Sequence, residues 1–573
     1  MKDRKAPGKQ VPPAPESEAW NRLPWRKLEK HTFRIQKRIY RASQRGNVRA
    51  VHKLQKLLAK SQAARLVAVR RVTQDNQGKK TAGVDGVKSV PPKQRFALAE
   101  RIHPKHWKRS VTRPARRVWI PKPGKPDEQR PLGIPTMLTR AQQALGKMVL
   151  EPQWEARFEP NSYGFRPGRS CQDAIEAILN AIRYKPKFVF DADISGCFDN
   201  INHSALLAKL NTYPALRHVV KMWLKAGVVD AGVFAPTEKG TPQGGVASPV
   251  LANIALHGME QVISAYHQGQ EKALLVRYAD DFVLFHSDKA ILEQAAARLT
   301  EWLSDMGLEL KPSKTKVTHT LTPLNGNVGF DFLGFTIRQF HVGKTHSGTH
   351  PHGRTLGFKT IIRPSKGAIK RHIHELNQRL RELRSASQET LIKELNPVIR
   401  GWANYYRTVS SSRVFSWCDH VLYLQLIQWA KRKHPTRGSK WLVHRYWRTK
   451  ENRHWVFTPQ SGGELRAHSQ TPISYHTKVR GGASPYDGQL LYWSQRLKRH
   501  PLMEGKLARL LKDQQGKCRY CGLVFKDGDI WEIDHIVPKS QGGRNTLGNC
   551  QVLHRHCHDQ RHADLAKAGI NLN

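Results

Sequence analysis

Read for the spacing of its apolar positions, the chain changes texture several times. From about Trp25 to Val72 the pattern is helical on a basic background, with Leu54, Leu57, Leu58, Leu66 and Val69 recurring at turn spacing. From about 75 to 340 short apolar runs (KFVFDADI, ALLVRY, FVLFHS) alternate with helical stretches and Gly/Pro turns, a mixed α/β texture. Helix returns near 365. There Ile369, Ile373, Leu376, Leu380 and Leu383 share one face, and Lys370, Arg371, Arg379 and Arg381 lie largely off it. In LNPVIRGWANYYRTV, residues 395–409, Leu395, Ile399, Trp402 and Tyr406 fall on one face and are expected to pack. A Gly/Ser-containing stretch near 461–488 reads as a linker, and residues from about 503 as a small separate unit. There is no internal repeat.

Composition adds a partner. The 573 residues are 39% hydrophobic and 25% charged, a globular balance. That length allows about three to five domains. Lys and Arg number 96 against 45 Asp and Glu, a formal charge of +51 spread along the whole chain. Such an excess repels itself and calls for a polyanion. Nucleic acid fits, because each neutralised phosphate releases counterions. A membrane-surface protein would gather the charge beside an apolar anchor, and no run of about 18 apolar residues occurs. No membrane partner is expected. The opening MKDRKAPGKQVPPAPE has no apolar h-region, so no secretory signal is expected. Four of the seven cysteines lie in the last 56 residues. An odd, clustered set fits a reducing compartment and a C-terminal metal site better than a disulfide framework. The expected location is the cytoplasm of a bacterium, at the nucleoid when acting on DNA, or an organelle.

Two acidic elements carry the chemistry. Tyr278-Ala279-Asp280-Asp281 lies between apolar runs, so two short strands meet there at a tight turn. Taken alone, that is an ordinary surface hairpin, since Asp is common in turns. About 90 residues earlier an apolar strand ends in Asp191 and Asp193, followed by Phe198 and Asp199. Phosphoryl transfer to a 3′-hydroxyl uses two metals about 4 Å apart. Hard Mg²⁺ takes a few carboxylates and leaves sites open for water and phosphate. Three aspartates from neighbouring strands supply that.

Seven stretches, in order, resemble the motifs of the reverse transcriptases encoded by bacterial group II introns. They are RPLGIPTMLTR at 130–140, SYGFRPGRSCQDAI at 162–175, DADISGCFDNI at 191–201, GTPQGGVASPVLANI at 240–254, RYADD at 277–281, GLELKPSKTKV at 307–317 and FDFLGF at 330–335. The resemblance implies that Asp193, Asp280 and Asp281 hold two Mg²⁺, with Asp193 preferred over Asp191 because an aromatic follows it by five residues. It implies that Phe198 lies under the sugar and selects deoxynucleotides, core packing being the alternative. Gln243 would sit by the incoming nucleotide and template, with flanking glycines allowing close approach. Arg130 and Lys122 are candidates for the triphosphate among several cations. Lys314 would lie near the leaving phosphate, or be a plain surface lysine.

The 395–409 stretch is similar to the maturase domain of the same family, which implies binding of the parent intron RNA; Arg400 and Arg407 would meet it. Residues 431–453 carry nine Lys/Arg and one Glu, interleaved with Trp441, Tyr446 and Trp447, a pattern suited to nucleic acid.

Residues 518–558 resemble the HNH endonucleases: a Cys-x-x-Cys, an acidic-His step, a GG turn, a central Asn and a late Cys-His. This implies a structural Zn²⁺ on Cys518, Cys521, Cys557 and either His554 or Cys550, His554 preferred for its spacing. It also implies a nuclease site, with His535 as general base, Asn549 orienting it, and Asp534 and His558 holding one divalent metal. The expected fold is α+β and multidomain. A tail at 1–18 precedes right-hand fingers and palm at 19–345. A helical thumb/maturase domain follows at 346–455, then a basic linker or DNA-binding region at 456–502 and a ββα-metal finger at 503–573. The implied function is intron mobility: a ribonucleoprotein with intron RNA nicks target DNA and extends the new end with deoxynucleoside triphosphates. Oligomeric state and target site are not legible.

Overall fold

The structure, a computed structural model, describes residues 16–109, 111–122, 125–264, 271–451, 453–497, 505–525 and 529–569. Most of the expected N-terminal tail, residues 1–15, lies outside them, and its end enters the helix Glu16–Asn21. Helices Trp25–Gln44, Val48–Lys60 and Gln62–Arg70 follow with short breaks. Asn47 caps the second through the Ala50 N–H and Ser61 caps the third through the Ala64 N–H, satisfying donors the helices leave open. Leu58, Leu66 and Val69 are buried as their spacing requires, whereas Leu57 stays 48% exposed. Beyond them a fingers hairpin, Ala115–Lys122 against Lys125–Ile134, pairs antiparallel.

The palm is a four-stranded antiparallel sheet, ordered Leu274–Tyr278, Asp281–His286, Phe188–Asp193, Lys316–His319. Its strands read as almost continuous apolar runs because both faces are covered. Phe190, Ala192, Phe282 and Leu284 enter the large core shared with the N-terminal helices. Val189, Val276, Val283 and Phe285 enter a second core. Alternation puts Asp191 and Asp193 on the Val189 face. The register then sets Asp193 opposite Asp281 and Asp191 opposite Lys316.

A three-stranded sheet (Phe330–Phe332, Phe335–His341, Phe358–Pro364) leads to the helices Lys366–Glu382, Gln388–Tyr406, Ser412–Lys433 and Ser439–Tyr446. Leu376, Leu380, Leu395 and Ile399 fill their shared core. Trp402 and Tyr406 pack toward the palm, and Arg400 is exposed. His372, on the first of these helices, is also buried. It stacks on Trp402 with ring centroids 4.4 Å apart, and its Nε2 lies 2.8 Å from His468 Nε2; His468 Nδ1 meets Asp419 at 2.7 Å. No helix among the described residues is long and apolar enough to cross a membrane.

The stretch expected to be a linker is not a free tether. After the hairpin Trp447–Lys450/Arg453–Phe457, residues 465–497 run back over the thumb and palm as a strap. Asp173, fully buried, accepts from the Val479 N–H at 2.7 Å, His476 Nε2 at 3.0 Å and Arg496. Arg169 donates to the Gly481 and Ala483 carbonyls. Trp493 lies on Gly168, where a Cβ would come within 2.4 Å of its ring. Tyr486 stacks on Phe33 and donates to Glu151. The strap leads to a small C-terminal unit: helix Gly505–Asp513, the hairpin Trp531–His535/Cys550–His554 and helix Arg555–Lys567.

Candidate catalytic and metal centres

The palm site forms where two strand ends meet. Asp193 ends its strand beside Asp281, and Asp280 occupies the turn after Ala279, which takes φ 60. Gly164 of the SYGF loop lies directly against this turn; a Cβ there would be 2.3 Å from Ala279 N, so no other residue allows the approach. Lys314 Nζ donates to Asp193 Oδ2 at 2.5 Å, and Lys316 faces Asp191 at 3.6 Å. Burial, then the charge of Asp193, raises the Asp280 carboxyl above the usual range. Burial and the charges of Asp280 and Asp193 push Asp281 up to about 7. Asp281 is exposed by surface area, so its neighbours' charges carry more of that shift than burial does. Carboxylates that raise one another in this way form a site a hard divalent cation would neutralise.

Beneath the turn is a residue the sequence did not single out. Arg277 is 1% exposed. Its guanidinium donates to Asn253 Oδ1 and the Ala279 carbonyl at 3.0 Å and to Ser162 Oγ at 2.7 Å. Asn253 in turn donates to the Gly164 carbonyl. This cradle holds the left-handed turn and the glycine loop together from behind. An arginine inside a strand pattern gave no signal of it, because its side-chain acceptors, Ser162 and Asn253, lie far off in sequence.

The nucleotide-contact candidates divide. Phe198 is half-buried, edge-on to Phe165 at 6.1 Å, beside the palm carboxylates. Gln243 donates to Asp199 at 2.9 Å, and its carbonyl accepts from Gly133 on the fingers hairpin. Arg130 is exposed and near enough to Asp280 to lower its pKa. Lys122 is drawn elsewhere: its ammonium pairs with Glu128 at 2.7 Å near the hairpin tip. Arg117, not picked from sequence, acts electrostatically on Asp199, the partner of Gln243.

In the C-terminal unit, ligand atoms of Cys518, Cys521, His554 and Cys557 all lie within 4.8 Å of one another. His554 turns Nδ1 toward Cys521 Sγ at 3.4 Å and Nε2 toward Asp529 at 3.3 Å, an outer carboxylate that fixes the ring. Cys550 is buried in the small core instead, with its thiol toward Asn545. Three thiols and an imidazole within this reach suit a tetrahedral soft metal.

The nuclease cluster gathers Asp534, His558 and His562 within the same 4.8 Å limit. His562 was missed, although its spacing of four from His558 on one helix face could have revealed it. Gln551, Arg561 and His562 hold Asp534. Burial would raise its carboxyl, but these partners outweigh burial and lower it. His535 follows Asp534 on the strand, and its Nε2 is buried without a hydrogen-bond partner. Asn549 differs from the expectation. Its amide accepts from the Val537 N–H and donates to the Val537 and Arg544 carbonyls, so both its hydrogens are used. It shapes the loop after His535 rather than holding the imidazole.

An α/β palm with an acidic strand-end pair, followed by a Cys/His-bound nuclease hairpin, defines a polymerase fused to an endonuclease. Residues 120–337 match the reverse transcriptase (RNA-dependent DNA polymerase) model, 20–102 its N-terminal domain, 368–447 the group II intron maturase-specific domain and 518–564 the HNH endonuclease. Protein YkfC of Escherichia coli (strain K12) is 32% identical, over 48% of this chain and 80% of its own length. The group II intron-encoded protein LtrA of Lactococcus lactis subsp. cremoris is 27% identical, over 77% of this chain and 85% of its own. A telomerase structure from Candida albicans overlaps with a TM-score of 0.33 at 13% identity, over 59% of this chain and 62% of that one, too slight a likeness to bear on the fold. The chain belongs to the group II intron-encoded reverse transcriptases and maturases that carry a C-terminal HNH domain. It is an RNA-directed DNA polymerase with an HNH endonuclease domain.

Proposed function

We propose that Asp193, Asp280 and Asp281 hold two Mg²⁺ for deoxynucleotide transfer, that Asp534, His558 and His562 hold one divalent ion for DNA nicking, and that Cys518, Cys521, His554 and Cys557 hold a structural Zn²⁺. The observation that carries the first is the register of Asp193 against Asp281 with Asp280 in the adjoining turn. When bound, the palm ions supply charge neutralisation at the 3′-oxygen and the triphosphate. The chain's own residues do the rest. Phe198 packs beside the sugar, Gln243 bridges the palm to the fingers, and Arg130 presents a cation to the triphosphate. Lys314 holds Asp193 as an ammonium and can swing from it toward the leaving phosphate. At the nuclease, His535 is the base for water, its buried, unpartnered Nε2 becoming available when the site opens to DNA.

We place these activities in one sequence. The chain binds its intron RNA, the nuclease opens one strand of target DNA, and the polymerase extends that 3′ end with RNA as template. Ligand thiolates need a reducing setting, which suits bacterial cytoplasm or an organelle. The test is deoxynucleotide incorporation on an RNA template with an annealed DNA primer and Mg²⁺. The unaltered chain should extend the primer and Asp280→Ala should not. Equal extension by both would remove Asp280 from the metal site.

A further inference from the structure

One cleft of the thumb shares no lining residue with either catalytic centre. It encloses about 750 Å³ between the helix Ser439–Tyr446 and the hairpin that follows. Lys440, Arg445, Arg448 and His454 line it together with the rings of Tyr423 and Trp455, and among the described residues no carboxylate does. The neighbouring cations Lys450 and Arg453 are held by Glu464, whereas Lys440 and Arg445 are exposed and Arg448 is half-buried with its Nε unpartnered.

Trp455 is the unusual member. It is 59% exposed and takes φ 62, a left-handed conformation that bulky side chains rarely adopt. The hairpin register shifts between Arg448 and Lys450, and such an irregularity re-aims side chains. Trp455 thus bears backbone strain and gains little burial in return. Strain kept at an exposed aromatic points to a ligand. Tyr423 meets Trp455 edge-on at 5.9 Å and 79°, so the broad face of one ring remains open.

We propose that this cleft captures one unpaired nucleotide: the base stacks on Trp455, and Lys440, Arg445 and Arg448 take the adjacent phosphates. A paired base cannot offer its face to the ring, whereas an extruded base can. The volume suits one such group. The inference rests on the reading of the thumb as a nucleic-acid-binding domain and names what one part of it recognises.

The test uses the full chain and fluorescence anisotropy at fixed salt. The probes are a fully paired RNA hairpin, the same hairpin with one unpaired adenosine in the stem, and the DNA versions of both. The unaltered protein should bind the bulged hairpin about tenfold tighter, within what one stacked base contributes. Trp455→Ala should erase that preference and leave the paired hairpin within about twofold. Trp455→Phe should restore most of it. A preference in RNA alone assigns an RNA nucleotide read partly through its 2′-hydroxyl, one in DNA alone assigns the target strand, and one in both assigns base and phosphate; each supports the cleft. Equal binding of bulged and paired probes by the unaltered protein overturns the inference, as does a preference that survives Trp455→Ala. In either case binding of the paired hairpin shows that the broader reading stands while the cleft falls. Failure to bind any probe removes both.

Discussion

The two catalytic regions are built on opposite principles. The palm carboxylates sit at the ends of the two central strands of a sheet buried on both faces, between two large hydrophobic cores. Position there comes from apolar burial, and the metal site is an addition to a frame that stands without it. Among its described residues the C-terminal unit has two small clusters, around Leu507, Leu510 and Val552 and around Cys518, Leu553 and Cys557. The second is made largely of ligands. With zinc bound as proposed, the metal would be part of that core, and coordination and folding would be one event.

Removing zinc should break this contrast open most widely. A zinc-selective chelator, with Mg²⁺ kept in excess, should melt the C-terminal unit, since structural zinc contributes on the order of 10 kcal/mol to small domains. Nicking should vanish while primer extension continues; loss of both together would show that the polymerase frame also depends on the metal.

The next largest effect is expected at Arg277. Arg277→Met should lower polymerase turnover roughly 100-fold with KM nearly unchanged, because a misplaced turn misaligns the reacting groups. Arg277→Lys should not rescue it, since an ammonium cannot span three acceptors as the guanidinium fork does. Unchanged turnover in a folded Arg277→Met chain would make the cradle irrelevant to catalysis.

His562→Ala should cost nicking at least about 10–100-fold, the range seen even for indirect partners of a metal, and should raise the divalent-ion requirement. Primer extension is the internal control. Normal nicking would return the site to Asp534 and His558 alone.

The smallest effect concerns the strap joining the regions. Burial alone would raise the Asp173 carboxyl, but His476, Arg496 and the Val479 N–H outweigh it and hold it far below the usual carboxylate range. A depressed carboxylate stabilises fully above its unfolded value, about 4, and its contribution fades as pH falls from there toward the folded value. Asp173→Asn should therefore cost about 2 kcal/mol near neutrality. Its penalty should shrink on acidification below about pH 4. A pH-independent penalty in thermal melts would mean the ion pair is not what holds the strap.

The palm was legible because its signal is local. Strand runs, the Asp-Asp turn and the glycine positions are each written within a few residues, and alternation then selects which acidic side chains face one another. The strap was not. Its Gly/Ser-containing composition matches a linker, and its buried Val479, Tyr486 and Trp493 follow neither helical nor strand spacing. Their partners are more than 300 residues away, at Asp173, Gly168 and, some 450 away, Phe33. Arg277 was hidden for a similar reason: its acceptors, Asn253 and Ser162, come from two other segments. The ligand choice between His554 and Cys550 turned on position along one strand: the two share a face four residues apart, but His554, at the end that enters the last helix, reaches the Cys cluster while Cys550, at the other end, enters the small core.

The central claim is that the palm aspartates gather divalent ions on a pre-built frame. Iron-directed cleavage tests it most directly: Fe²⁺ with ascorbate cuts backbone beside bound ions. The account predicts cuts confined in the palm to residues near 193 and 280, suppressed by excess Mg²⁺ and absent in Asp280→Ala. Cuts that spare both strand ends, or that persist in Asp280→Ala, would contradict it.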